Sequence, residues 1–223
     1  MLYLANNASE VYLHGARSIN LVRDHIPYLE GPQSVNTFLM PLTGWQSKAV
    51  PGYLPAKAFF ACLARREFPT TIVIRSRESI DYLPEPDIFH DIFGHVPLHA
   101  DPIFADFLQT YGKAAVSTDD PHHTERLARL FWFTVEFGLI REGGRNRLYG
   151  SGLISSPGES AHALDSKDVD RRPFDLETVC NTSFEIDHYQ PILYVLESFD
   201  QLRDAMNTYA QRLLDPARRP VNA

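Results

Sequence analysis

The spacing of apolar positions changes several times along the chain, and each change marks an element. Leu54 to Arg66 (LPAKAFFACLARR) carries its apolar residues at helical spacing, with Pro55 tolerated in the first turn. The β-branched run Thr70 to Arg75 (TTIVIR) predicts a short strand. Ile88 to Phe93 reads as a helix that Gly94 ends and Pro97 forbids from continuing. Another helix opens over Pro102 to Tyr111, with Asp101 as N-cap and Pro102 in its first position. The longest periodic segment is His122 to Arg141, where Leu127, Leu130, Phe131, Thr134, Val135 and Gly138 keep helical spacing. Beyond a Gly-rich stretch, EGGRNRLYGSGLISSPGES, two more helices are predicted, one of them over Ser198 to Leu214. Pro27, Gly31, Pro32, Pro41, Gly44, Pro51 and Gly52 punctuate the opening residues, which read as irregular chain laid over the core. Helices outnumber strands, so the expected class is mainly α with a small β component, in a single domain.

Composition narrows the function rather than the fold. Of the 223 residues 44% are apolar, enough for a continuous core, which excludes disorder as the dominant state. The net charge of −7, from 28 acidic against 21 basic residues, lacks the basic surplus that nucleic-acid binding requires. No membrane role is expected, because the longest strongly apolar stretch, Leu130 to Ile140, contains Glu136 and falls short of the ~20 residues of a spanning helix. MLYLANNASE has no basic region followed by an apolar one, so no secretory signal is read. Cys62 and Cys180 sit in apolar contexts without a CxxC pairing, which suits a reducing cytoplasm. No repeat or low-complexity tract is present.

The informative chemistry begins at PEPDIFHDIFGHVP, which sets His90, Asp91 and His95 among apolar neighbours. Five residues at about 100° each leave the two imidazoles about 140° apart on an unbroken α-helix, against about 40° for His-x-x-x-His. Gly94 resolves the mismatch in this reading by adopting a left-handed conformation that swings the second ring back. The alternative is two unrelated histidines with satisfied hydrogen bonds at a helix end. Glu136, inside LFWFTVEFGLI, is the second anomaly, since a buried carboxylate needs a compensating cation, either an arginine or a metal. Two imidazoles and a carboxylate form the facial triad of non-haem Fe(II), and the same donors describe catalytic zinc. Arg75, at the end of the predicted strand, could grip a carboxylate with its planar fork, oriented by Glu159, or could simply be solvated. The glycines match neither a dinucleotide nor a P-loop fingerprint, and the serines form no Gly-x-Ser-x-Gly elbow. The remaining histidines, His99 among them, have no ligand spacing, although His122 and His123 could bind a metal adventitiously.

PEPDIFHDIFGHVPL, FWFTVEFGL, LYGSGLISSPGE and YQPILYVLESF, in this order and spacing, resemble the catalytic domain of the tetrahydropterin-dependent aromatic amino acid hydroxylases. The similarity is greatest to bacterial phenylalanine-hydroxylating members and runs from Thr43 to Phe199. It implies a helical basket around a non-haem iron, divided here into an irregular segment 1–42, a core 43–199 and a C-terminal helix and tail 200–223. By resemblance His90, His95 and Glu136 are the Fe(II) ligands. Arg75 binds the substrate carboxylate, supported by Glu159 and Asp87, while Tyr82, Pro86, Trp132, Gly152 and Ser155 line the amino-acid pocket. VPGYLPAKAF matches the stretch that holds the tetrahydropterin, giving Gly52, Leu54 and Phe59, the last stacking on the pterin ring, with Asp91 and Phe131 also facing it. Asp91 replaces the more usual Glu; Pro69 and Leu83 stand where animal members have His and Thr. The implied activity is the hydroxylation of L-phenylalanine to L-tyrosine with O2 and a reduced pterin. The alternatives are a tryptophan or other aromatic hydroxylase on this scaffold, and a zinc hydrolase using the same ligands with Asp91 or another acid as base. The chain length further implies a pared-down, monomeric core without the family's regulatory module.

Overall fold

In the computed structural model, which describes residues 2–21, 34–52, 54–74 and 86–214, short helices alternate with shorter strands. The order begins α1 (Leu2–Asn7), α2 (Glu10–Ser18), α3 (Val35–Thr43), β1 (Gln46–Val50), α4 (Ala56–Ala64) and β2 (Glu67–Thr71). A π-helical turn (His90–His95) runs directly into a 3-10 turn (Val96–Ala100), followed by α5 (Pro102–Val116) and α6 (Pro121–Phe131). A second π-turn (Trp132–Glu136) leads to β3 (Leu139–Glu142), β4 (Arg145–Leu148), α7 (Ser151–Ser155) and α8 (Pro157–Asp165). The order closes with β5 (Asp170–Pro173), α9 (Leu176–Asn181), β6 (Ile192–Leu196) and α10 (Phe199–Leu214).

Three helices start on one local rule, a side-chain oxygen followed by proline. Asp101, Asp120 and Ser156 accept from the backbone N–H groups of Phe104, His122 and Glu159, and Pro102, Pro121 and Pro157 occupy the first turn, where no donor is missed. α5 is the spine of the core: Phe104, Ala105, Phe107, Leu108 and Tyr111 are buried, and α4 and α10 pack against it. Each large apolar side chain taken from water in this way contributes about 1.5–3 kcal/mol. Two sheets flank the helices. β1 and β2 pair in parallel from Gln46↔Glu67 to Val50↔Thr71, and a four-stranded sheet runs β4-β3-β6-β5, with only the β3–β4 hairpin antiparallel. Gly143 and Gly144, at φ 57° and 75°, supply the two left-handed residues that the hairpin turn requires.

Four expectations are corrected. The opening residues are not irregular where they are described: Ser9 caps α2 by accepting the Tyr12 N–H, and Ala8, Tyr12, Ile19, Val35 and Leu39 enter the core. Prolines and glycines there punctuate helices rather than prevent them. The strand lies earlier than TTIVIR, because β2 can extend only as far as its partner β1; Ile72, Val73 and Ile74 fall outside it and are exposed. Gly94 neither ends a helix nor adopts a positive φ, since helical chain continues through it to Ala100. The long segment His122 to Arg141 is α6, a π-turn and then a strand, the change occurring where Phe137 N–H donates to Trp132 O, five residues back, at 2.9 Å.

Candidate metal centre

His90, His95 and Glu136 come together at the two π-turns. Hydrogen bonds that span five residues instead of four widen the turn, so residues 90 and 95 face the same way without any left-handed residue. The Val96 N–H donates to Asp91 O and closes this turn. The imidazole Nε2 atoms lie 3.1 Å apart, and Glu136 places Oε1 3.2 Å from His95 Nε2 and Oε2 3.6 Å from His90 Nε2. His95 is buried, whereas His90 and Glu136 keep 17% and 16% of their side chains exposed, so the cluster has one open side.

A serine pair on α7 orients two of the three donors. Ser155 Oγ donates its single proton to Ser151 O at 2.8 Å and therefore accepts from His90 Nδ1–H, also at 2.8 Å. That tautomer leaves the His90 Nε2 lone pair directed at the cluster. Ser151 Oγ donates to Glu136 Oε2 at 2.7 Å. Burial by itself would raise the Glu136 pKa; the positive charge that His95 and His90 carry when protonated, with the Ser151 hydroxyl, holds it down to about 2. A carboxylate kept ionised beside two imidazoles suits a cation at the centre. Among the described residues no arginine forms an ion pair with Glu136, whose partners are His90 and His95, and Arg129 pairs with Glu125. α7 can approach closely because residue 94 is glycine: a Cβ there would lie 2.9 Å from Ser151 Cβ and 3.0 Å from its carbonyl oxygen.

Beside the cluster is a cavity of about 290 Å³ lined by Gly52, Leu54, Phe59, Pro69, Thr71 and Asp91, among others. All of its stretch-derived pterin residues, Gly52, Leu54 and Phe59, are in the wall, as is Asp91; Phe131 meets Phe59 edge-on at 5.8 Å and lies 6.4 Å from the His95 ring. Asp91 is buried, accepts the Thr71 N–H at 2.7 Å, and is pushed up to about 7, chiefly by burial. Pro86 lines this cavity too. Asp87 is buried and accepts the His90 N–H at 2.9 Å, which ties it to the first π-turn.

Trp132 opens the second π-turn, packed between Phe184 at 4.5 Å and Phe137 at 4.6 Å, with its Nε1–H donated to Gln190 Oε1 at 2.9 Å. Gly152 lies on α7 against the Phe137 ring. Glu159, in the first turn of α8, is pushed up to about 7 by burial, partly offset by His188. Arg75 and Tyr82 lie outside the described residues. In the sequence no anomaly of type or spacing distinguishes Ser151, Gln190 and Phe184. His99 is fully buried, stacked on Trp45 at 4.7 Å and tilted against Phe68 at 4.9 Å. Among the described residues neither of its ring nitrogens has a hydrogen-bond partner, and burial, then His95, keeps its pKa well below the usual histidine value.

The family profile described as biopterin-dependent aromatic amino acid hydroxylase matches residues 6–220, and the chain belongs to that family. It is 46% identical over 221 residues to a phenylalanine-4-hydroxylase of Mesorhizobium japonicum, covering 94% of this chain and 79% of that one. A phenylalanine-4-hydroxylase of Ralstonia nicotianae is 44% identical over 202 residues, covering 91% of this chain and 64% of its own length. Among solved structures, phenylalanine hydroxylase of Chromobacterium violaceum with bound iron(III) and 7,8-dihydrobiopterin superposes with a TM-score of 0.88 at 42% identity, covering 97% of this chain and 78% of that one. The sequence-derived fold class is thus borne out.

Proposed function

We propose that the chain is a non-haem Fe(II), tetrahydropterin-dependent monooxygenase that hydroxylates L-phenylalanine to L-tyrosine with O2, with His90, His95 and Glu136 holding the iron. The observation that carries this reading is the juxtaposition of a three-donor cluster, its donor atoms within 4.8 Å of one another, with a largely apolar cavity that shares Asp91 with the same π-turn. When bound, iron and reduced pterin supply the activation of dioxygen that aromatic hydroxylation requires. The chain's own contribution is geometric and electrostatic. Ser155 fixes the tautomer of His90, Ser151 fixes the Glu136 carboxylate, and Glu136 compensates part of the metal charge. Phe59 offers an aromatic surface to the pterin, and Asp91 and Thr71 put polar groups into an otherwise apolar wall. Trp132, braced by Phe184 and Gln190, walls the amino-acid side and helps exclude water from the oxidising centre. Arg75 is assigned to the substrate carboxylate.

The zinc-hydrolase alternative is less well supported with Asp91 as its base, because that carboxylate already accepts a backbone N–H in the wall. No helix among the described residues is long and apolar enough to cross a membrane. Cys62 and Cys180 are both free and buried, which supports a reducing, cytoplasmic setting. The test is reconstitution with Fe(II), tetrahydropterin and air, following phenylalanine, tryptophan and tyrosine by mass spectrometry. Conversion of phenylalanine to tyrosine is expected; failure of every substrate to gain oxygen would overturn the proposal. Glu136→Gln should remain folded and lose iron binding, and full iron affinity in that variant would remove Glu136 from the centre.

A further inference from the structure

We infer that Tyr12, on the N-terminal helix α2, is a positioning residue for the metal centre: its hydroxyl holds the backbone of the first π-turn in the register that brings His90 and His95 together. The inference rests on the ligand assignment proposed above.

Its starting point is a backbone accounting problem at Phe93. In a regular helix the Phe93 carbonyl would accept from the N–H four residues on, but that residue is Pro97, which has none. The Gly94 carbonyl meets the same proline at 3-10 spacing. Val96, the donor at 3-10 spacing, is committed elsewhere, since its N–H reaches back to Asp91 O and closes the π-turn, and Leu98, the donor at π spacing, belongs to the following 3-10 turn. A buried carbonyl left unpaired at this junction would favour another backbone path. Tyr12 supplies the donor: its OH donates to Phe93 O at 2.7 Å, across 81 residues of sequence. The Tyr12 side chain is buried and the bond itself part-buried. The hydroxyl also stays protonated, as a donor must, because burial raises it far above the usual tyrosine range.

One helical turn further along α2, Gly15 lets the two backbones touch. A Cβ at residue 15 would lie 1.9 Å from Pro97 O, so no other residue type allows α2 this close to the 3-10 turn. The two contacts bracket His95, at residues 93 and 97. α2 is therefore a brace on the segment that sets the second imidazole, and Tyr12 is its polar half.

Tyr12→Phe is the test, because it keeps the ring that fills the core and removes only the donor. The comparison is Tyr209→Phe, which deletes the hydroxyl paired with His123 at 2.9 Å, away from the centre. Each full-length protein is stripped of metal and titrated with Co(II) alone, reading the dissociation constant and the d–d absorption bands. Thermal unfolding and the steady-state constants for phenylalanine are measured in parallel. The expected result is a Co(II) dissociation constant raised about tenfold for Tyr12→Phe, the scale of losing a partner that orients a ligand. Altered d–d bands and a lowered kcat with little change in KM should accompany it, while Tyr209→Phe leaves affinity and bands at wild-type values. If Tyr12→Phe binds Co(II) with wild-type affinity and spectrum, whatever its unfolding temperature, the positioning role is refuted. His90→Ala separates this result from failure of the ligand assignment: if that variant also binds Co(II) like wild type, the assignment itself is wrong.

Discussion

Gly94 offers the sharpest test of how the centre is assembled, because two physical accounts of the same glycine predict opposite rankings of substitutions. If it were a left-handed helix terminator, Asn would be tolerated better than Ala. The structure instead gives it an ordinary helical backbone and a neighbour at contact, with Ser151 Cβ and O at 2.9 and 3.0 Å from the position of an added methyl. Gly94→Ala must therefore push α7 away by several tenths of an ångström. Overpacking of this kind costs about 1–3 kcal/mol, while Ala recovers about 0.4–1 kcal/mol by restricting the unfolded chain. The remainder, at most about 2.6 kcal/mol, corresponds to a fall of up to about 10 °C in melting temperature for a domain of this size. The same displacement stretches the Ser151–Glu136 and Ser155–His90 hydrogen bonds, 2.7 and 2.8 Å long, so metal affinity should fall as well. Gly94→Asn, with a longer side chain directed at α7, should be worse on both counts. Calorimetric melting of the metal-free proteins and Co(II) titration provide the readouts. An Asn variant at least as stable as the Ala variant, or wild-type metal affinity in both, would refute the close-approach account.

Ser155→Ala deletes the acceptor for His90 Nδ1–H and should weaken metal binding about 10–100-fold with little change in fold, measured by Co(II) titration and circular dichroism. His99→Leu should stabilise the protein more at pH 5 than at pH 8. The folded state keeps this imidazole neutral whereas the unfolded chain protonates it below about 6.5, so wild-type stability is lost as pH falls through that value and the variant escapes the loss; an equal gain at both pH values in urea unfolding would contradict this. Phe59→Ala should weaken reduced-pterin binding while leaving Co(II) affinity intact, because Phe59 lines the cavity but does not touch the donor cluster; calorimetry with each ligand separates the two effects.

What was legible in the sequence is what stands out against its local background. His90, His95 and Glu136 are polar residues in apolar runs, and their chemistry is conspicuous before any fold is known. Asp101 and Pro102 likewise announce a helix start, and the same rule applies at Asp120 and Ser156. The π-turns were hidden, because one extra residue in a turn changes a hydrogen-bond register without requiring any particular side chain. The mechanism read for Gly94 was accordingly wrong, although its consequence, two imidazoles on one side, was right. Ser151 and Ser155 lie in a stretch where serine and glycine suggest only a loop, so nothing marks them as orienting groups. α2 and α3 were masked by the turn formers around them; their buried residues, such as Tyr12 and Leu39, are too sparse to establish a period over nine positions.

Placing the proposed metal ligands on π-turns makes the centre sensitive to deletion in a way that substitution scanning would not disclose. Removing any one residue between His90 and His95 would leave a pair four positions apart that ordinary α-helical winding could hold about 40° from each other. Everything beyond the deletion would then be rotated by about 100° and drawn back by one helical rise. Pro97 would leave Gly15, Phe93 would leave Tyr12 where the deletion precedes it, and α5 would lose its alignment with the core. The spacing of the ligands and the seating of the following helix are thus a single variable in this chain. A transplant of the triad onto straight helices would have to shorten the histidine interval by one and supply new supports for both ends.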